Sequence, residues 1–286
     1  MALNNYQFSY NSFNFGGAGS VYQILEIDGL ESLPDLRVQD DNRGFNDGMF
    51  TGRDFYSGRT LLFMLNIFAG NGNSAQQNFN LLQNALNPVQ QLTTSNGLLQ
   101  WQLGASDSVQ RLTARVRSRK SNIDPEYTFG FIRAQITFFA PDPKYYDDTA
   151  TTITLNPLTA AGGRTFNKSF SYNYGAAIPN LFTVTNNGWA TTNPSITVVG
   201  PVTNPTITNT TTGQFLTVNV TLGNSDSLVF DLENKNITLN GSSARNLLAT
   251  GSQWFGASSG STQFSFTGVS GSSGTTATIV YRNAYV

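Results

Sequence analysis

With 286 residues, and roughly 150 residues to a typical domain, the chain is long enough for two domains that each bury a core. Its 16 Lys and Arg nearly balance 17 Asp and Glu, so it has neither a bulk basic field for nucleic acid nor an acidic excess that would keep it unfolded. With no His and no Cys it cannot build a Ser-His-Asp or Cys-His nucleophile, a Cys/His zinc site, a disulfide framework or a thiol redox couple.

The first thirty residues contain no basic segment followed by an apolar run, and no later stretch approaches the ~18 uninterrupted apolar residues of a membrane helix. The expectation is therefore a soluble protein made in the cytoplasm, with no membrane insertion. Five Asn-x-Ser/Thr sequons, at Asn167, Asn209, Asn219, Asn236 and Asn240, are read as the chance product of an Asn- and Thr-rich chain.

Next comes an oxygen-rich loop from Asp40 to Gly48. It lacks the alternating ligand spacing and bidentate Glu of a calcium loop and contains Arg43, so it reads as a hydrated turn closed by Asp47-Gly48. Arg59 to Phe68 reads as a buried strand. Asn73 to Asn87 reads as a helix with Phe79, Leu82 and Leu86 on one face and Pro88 as its stop. Between them, Gly70 to Ala75 has the form G-x-G-x-x-A, as in a dinucleotide-binding turn. The acid required about 20 positions on is missing, which leaves a plain strand-to-helix connection.

Val109 to Arg119 alternates, which would place Arg111, Arg115, Arg117 and Arg119 on one strand face with Lys120 close by. Three readings stand: an anion-binding face, a solvated face, or a subunit interface where each Arg meets a neighbour's acid. Phe129 to Phe139 is a further strand. The first part is thus a sheet carrying one main helix, ending in the Pro- and Asp-rich stretch Ala140 to Asp148.

Composition changes there. Residues 1–150 hold 11 basic and 14 acidic residues, and residues 151–286 hold 5 and 3, while Thr rises from 8 to 25. Stiff, β-branched Thr suits half-buried pleated surfaces, so the second part is expected to be all strand. Strands are read at 195–199, 206–210, 215–222, 227–232, 236–239, 263–267 and 275–281, a spacing that suggests a sandwich or jelly roll. Asn193-Pro-Ser-Ile-Thr197 and Asn204-Pro-Thr-Ile-Thr208 form an echo, taken as neighbouring strands entered through similar Asn-Pro turns. Asp231 and Glu233 share a strand face but precede a turn at Asn234-Lys235, so they decorate a hairpin and are not a glycosidase pair. Trp189 and Trp254 are candidates for stacking on a glycan, although core filling is the plainer use of each. No catalytic residue, cofactor or metal is assigned.

The order of these pieces carries a resemblance. Asp47-Gly48, Gly58-Arg59 leading into Leu61 to Phe68, the leucine helix ending near Pro88, Arg111 to Arg117, and Arg133 to Pro143 before Tyr145-Tyr146 resemble the N-terminal domain of the siphophage distal tail protein family. Asn187 to Pro201, Asn204-Pro205, Asn209 to Gln214 and Tyr281 to Tyr285 are similar to that family's C-terminal module. The resemblance implies a mainly β chain. Residues 1–148 would form a ring-forming β-sandwich or split-barrel domain, 149–170 a linker, and 171–286 a galectin-like or jelly-roll β-sandwich. It further implies a non-enzymatic structural protein of the virion tail tip, assembled in the host cytoplasm. Six copies would close into a ring joining the tail tube protein to the hub or tip protein, with the tape measure protein and a host cell-surface glycan as further partners. The alternative is a carbohydrate-binding adhesin acting through the C-terminal sandwich.

Overall fold

In residues 7–16 every second side chain is aromatic or small, and the chain folds there into a tight hairpin of β1 (Gln7–Tyr10) and β2 (Phe13–Gly16). The two loop residues, Asn11 (φ 47) and Ser12 (φ 72), are both left-handed, the backbone twist that suits a two-residue connection between right-twisting strands. The computed structural model describes residues 3–69, 72–87, 96–155, 181–269 and 275–286. The chain divides into two units, 1–148 and 149–285.

The first unit continues with β3 (Tyr22–Asp28), β4 (Arg59–Phe68), α1 (Gly72–Ala85), β5 (Gly97–Gln102), β6 (Gln110–Asn122), β7 (Phe131–Ala140) and β8 (Tyr145–Asp147). The strand order is β2-β1-β5-β6-β7-β4-β3, antiparallel throughout. β6 serves both halves of this sheet, because residues 110–114 pair with β5 and residues 115–122 with β7. The halves fold over an aromatic core: the Phe63 ring lies 5.2 Å from Phe8, 5.6 Å from Phe15 and 5.5 Å from Phe138. At the ends of the strand order, Phe13 of β2 and Tyr22 of β3 bring their rings to 5.1 Å, so the sheet curls into a split barrel. Gly16 permits that approach, since a Cβ there would lie 2.5 Å from Ile24 Cδ1 at a φ of +75.

α1 buries Ala75, Phe79 and Leu82, with Leu86 just beyond its end, and packs against β4 and β7. Both neighbours of β4 are antiparallel to it. The connection from β4 to α1 therefore lacks the parallel β-α-β setting that a dinucleotide turn requires, as its sequence implies.

The second unit contains β9 (Thr151–Leu155), β10 (Leu181–Asn186), β11 (Ser195–Val199), β12 (Val202–Asn209), β13 (Phe215–Thr217), β14 (Thr221–Leu222), β15 (Ser227–Asp231), β16 (Asn236–Leu239), β17 (Ser242–Ser243), β18 (Gly260–Val269) and β19 (Thr276–Tyr281). One sheet runs β9-β19-β11-β15-β16-β17, the other β10-β18-β12-β13 with β14 also on β12. Phe182, Ile207, Phe264 and Phe266 from one sheet and Ile196, Phe230, Ile237 and Ile279 from the other share one core, as in a sandwich. The Thr enrichment follows from the alternation, because the outward positions pair hydroxyls across strands: Thr206 with Thr217 at 2.8 Å, Thr203 with Thr221 at 3.0 Å and Thr154 with Thr278 at 3.2 Å.

Two expectations are corrected here. Residues 151–155 are a ladder strand on β19, so the span 149–170 does not begin as linker; residues 156–170 lie outside the described residues. The Asn-Pro echo does not mark neighbouring strands, since β11 and β12 belong to opposite sheets. Asn193-Pro194 precedes a strand. Asn204-Pro205, by contrast, sits inside β12 at a register shift between Thr203 and Thr206, with Asn204 at φ 51. Proline lacks the ladder N–H and is tolerated at such a bulge. Among the described residues no helix is long and apolar enough to cross a membrane.

Candidate assembly interface

The arginine face depends on one irregularity in β6. Alternation puts Leu112, Ala114 and Val116 inward and Arg111, Thr113 and Arg115 outward. The register then shifts between Val116 and Ser118, so Arg117 is the extra residue of a bulge. Beyond it the parity reverses. Arg119 pairs with inward-facing Ile136, and its Nη1 donates to the carbonyls of Gln83 and Leu86 at 2.9 and 3.3 Å, at the C-terminal end of α1. The helix has no basic residue in its own last turn, and Arg119 supplies that charge from the sheet. The expected four-arginine face therefore holds Arg111, Arg115 and Arg117, with Lys120 in place of Arg119.

On that face Arg111 lies 3.6 Å from the carboxylate of Asp148, which also accepts from Gln100 Nε2 at 2.8 Å. Arg115 and Arg117 are exposed and both stack on Phe139, 5.8 and 4.1 Å from its ring centre. The three guanidinium groups are thus positioned, two of them on an aromatic ring, with faces open to a partner.

A larger feature escaped the sequence reading. Between β3 and β4 the chain runs out as a hairpin arm, residues 36–56, held by a short ladder of Leu36–Arg37 with Phe55–Tyr56 and a second of Asp41–Asn42 with Met49–Phe50. Every residue of the arm is exposed except the partly covered Asp40, and Phe45 at the tip is wholly so. Leu36, Val38, Met49, Phe50, Phe55 and Tyr56 also present apolar surface. Arg43 lies 5.1 Å over Phe50, and Arg53 and Arg37 lie 5.2 and 5.9 Å over Phe55. The loop weighed as a calcium site is the tip of this arm. There Asp40 accepts the Gly52 N–H at 2.9 Å, and Arg43 N–H bonds the Gly48 carbonyl.

Arg59 clamps the root. Its side chain is buried, with Nε donating to Pro143 O at 3.0 Å and Nη1 to Gly29 O, Leu30 O and Ser32 O at 2.8, 2.9 and 2.7 Å. Burial pushes its pKa below the usual arginine value, while Tyr145 and Glu31 pull the other way. These bonds tie the segment that enters the arm to the strand that leaves it.

The remaining candidates separate. Trp189 is 63% exposed and meets Tyr285 edge-on at 4.7 Å, so core filling does not describe it. Trp254 packs against the second unit's core, with Arg245 5.9 Å from its ring centre. Asp231 accepts from the backbone and side chain of Asn234 at 3.0 and 2.7 Å, and Glu233 accepts from Asn193 at 2.8 Å, an arrangement that builds the turn.

Residues 187–285 match the family model described as siphovirus-type tail component, C-terminal domain. Among solved structures, the chain is similar in fold to the SPP1 Dit (gp 19.1) protein, described as a paradigm of the hub adsorption apparatus in phages that infect Gram-positive bacteria. That likeness has a TM-score of 0.69 and 16% identity, and covers 98% of this chain and 99% of that one. A chain of the phage P2 baseplate in its activated conformation with Ca is similar at a TM-score of 0.51 and 11% identity, over 96% of this chain and 97% of that chain. No curated protein matches. Residues 187–285 accordingly match the siphovirus-type tail component C-terminal domain, on a chain that is similar in fold to SPP1 Dit along nearly its whole length.

Proposed function

We propose that this protein is a structural component of the tail tip of a long-tailed phage, and that its copies close into a six-membered ring. The observation that carries this reading is the correspondence of fold with SPP1 Dit over both units, joined to the family match of residues 187–285. Rotationally closed rings need two different complementary patches on each subunit. The exposed arm and the cationic face of β6 supply patches of different chemistry. On this reading the N-terminal unit lines the channel. One face of the ring meets the tail tube protein and the other the hub or tip protein, with the tape measure protein at the channel. The protein has a virion role, is assembled in host cytoplasm, and performs no catalysis. At high protein concentration, light scattering is expected to give a defined particle near six times 31.0 kDa, or 186 kDa. A monomer at every concentration would overturn the ring.

A host glycan as partner of the second unit is favoured by one observation, the exposed Trp189 ring, which presents a face for a sugar to stack on. Glycan-array binding lost in Trp189→Ala and kept in Trp254→Ala is the expected pattern. An array with no binding for the parent protein removes this partner.

A further inference from the structure

We infer that the outer face of β6 and β7 binds the phosphate backbone of nucleic acid without reading its sequence, a ligand that goes beyond the ring reading above. The chain's balanced total conceals a local excess of charge. β6 and β7 together carry six basic residues, Arg111, Arg115, Arg117, Arg119, Lys120 and Arg133, and no acid. β4, on the other side of β7, turns only uncharged side chains outward, from Thr60 to Phe68. Three of the six cations are engaged within the unit: Arg111 with Asp148, Arg119 with the end of α1 and Arg133 with Glu126. Arg115, Arg117 and Lys120 stay exposed and form no ion pair among the described residues.

The setting of these three fits a phosphate chain. Arg115 and Arg117 rest against one ring, 5.8 and 4.1 Å from the centre of Phe139. A guanidinium held against a ring keeps its rim of N–H donors free, and that planar fork matches phosphate oxygens. Around the two arginines the face carries hydroxyls, with Thr113 exposed and Ser118 Oγ donating to Thr137 Oγ1 at 3.0 Å. Arginine joined by Ser and Thr is a common donor set for a nucleic-acid backbone. A protein partner calls for an apolar centre to its contact, whereas here the ring of Phe139 lies under the guanidinium groups. Arg115 pairs with Phe139 and Lys120 with Gln135. The cations therefore span about 14 Å along the ladder, over which one strand of duplex DNA presents about four phosphates.

The test follows the fluorescence anisotropy of a short labelled DNA duplex titrated with the full chain. Three phosphate contacts per bound copy give a slope of about −2.7 in log affinity against log salt, so binding is expected to weaken about 40-fold between 50 and 200 mM salt, alike for two unrelated sequences. Arg115→Gln with Arg117→Gln is expected to take about 2 off that slope and to weaken binding about tenfold or more at the lower salt. Arg115→Lys with Arg117→Lys should keep most of it, because a backbone phosphate accepts a point charge. Lys235→Gln with Arg245→Gln removes the same charge from exposed positions of the second unit and is expected to leave binding unchanged. No binding by the parent at the lower salt overturns the assignment. So does an equal loss in the second-unit variant, which would make the effect one of net charge. Polyglutamate that binds as tightly as the duplex overturns it in favour of an acidic protein segment. An altered particle mass in the Arg115 and Arg117 variant overturns it as well and makes the face a contact between subunits. The ring stands or falls separately, by the particle mass of the parent.

Discussion

Arg59→Met is expected to lower the unfolding free energy by about 3 kcal/mol. The substitution keeps most of the apolar stem but removes the donors for four backbone carbonyls, those of Gly29, Leu30, Ser32 and Pro143. A buried polar group left without its partner costs about 1 to 3 kcal/mol. Two effects reduce the total below four such losses. Three of the four bonds are only part-buried, so water reaches some of the freed carbonyls. The parent also carries the cost of a desolvated guanidinium with an unpartnered Nη2, and Met relieves it. Arg59→Lys is expected to recover only part of the loss, because one ammonium cannot reproduce the planar fork that spans both segments. Urea unfolding measures the difference, and a loss under about 1 kcal/mol would show that relief of the buried charge cancels the hydrogen bonds. Since Arg59 ties down the entry and exit of the arm, protease cleavage within residues 36–56 should also rise under native conditions.

Phe63→Ala is expected to cost about 3 to 5 kcal/mol, the usual range for removing a fully buried Phe, because a cavity remains where transfer energy is lost. The position is unusually exacting, since the ring touches Phe8 and Phe15 from one half of the split barrel and Phe138 from the other. Those neighbours sit on strands whose ladders hold them apart, so they cannot collapse into the gap. Phe63→Leu should lose less, because it leaves a smaller void. If the Ala variant unfolds within about 1 kcal/mol of the parent, the two halves of the sheet do not depend on this ring to hold them together.

Much of the architecture could be read from residue order. Arg59 to Phe68 reads as a buried strand and is β4, one face of which is buried, and Phe79, Leu82 and Leu86 mark the face that α1 and the residue after it bury. In the second unit, most strands fall within a few residues of the expected spans, because Thr and Val alternating with Ile and Phe admit few other conformations. The first hairpin was missed because its loop, Asn11-Ser12, carries a weak signal: Ser seldom adopts a positive φ, and no Gly marks the turn. β10, at residues 181–186, was not among the strands read, although Pro179-Asn180 directly precedes it and Phe182 and Val184 alternate with Thr183 and Thr185.

The candidate site divides along the same physical line. Local chemistry is written in the chain. The identity of the cations on β6, the turn at Asp47-Gly48, the hairpin at Asn234-Lys235 and the absence of thiol and imidazole all follow from side chains and their nearest neighbours. Three things follow only from tertiary structure. One extra residue at Arg117 moves Arg119 from the outer face to the end of a helix, because side-chain parity past a bulge is fixed by the partner strand and not by sequence spacing. The two Asn-Pro segments part into opposite sheets, because pairing partners are chosen by long-range ladders. The arm stands clear of its own unit because its apolar residues find no surface there, and burial, unlike composition, is a property of everything a residue meets.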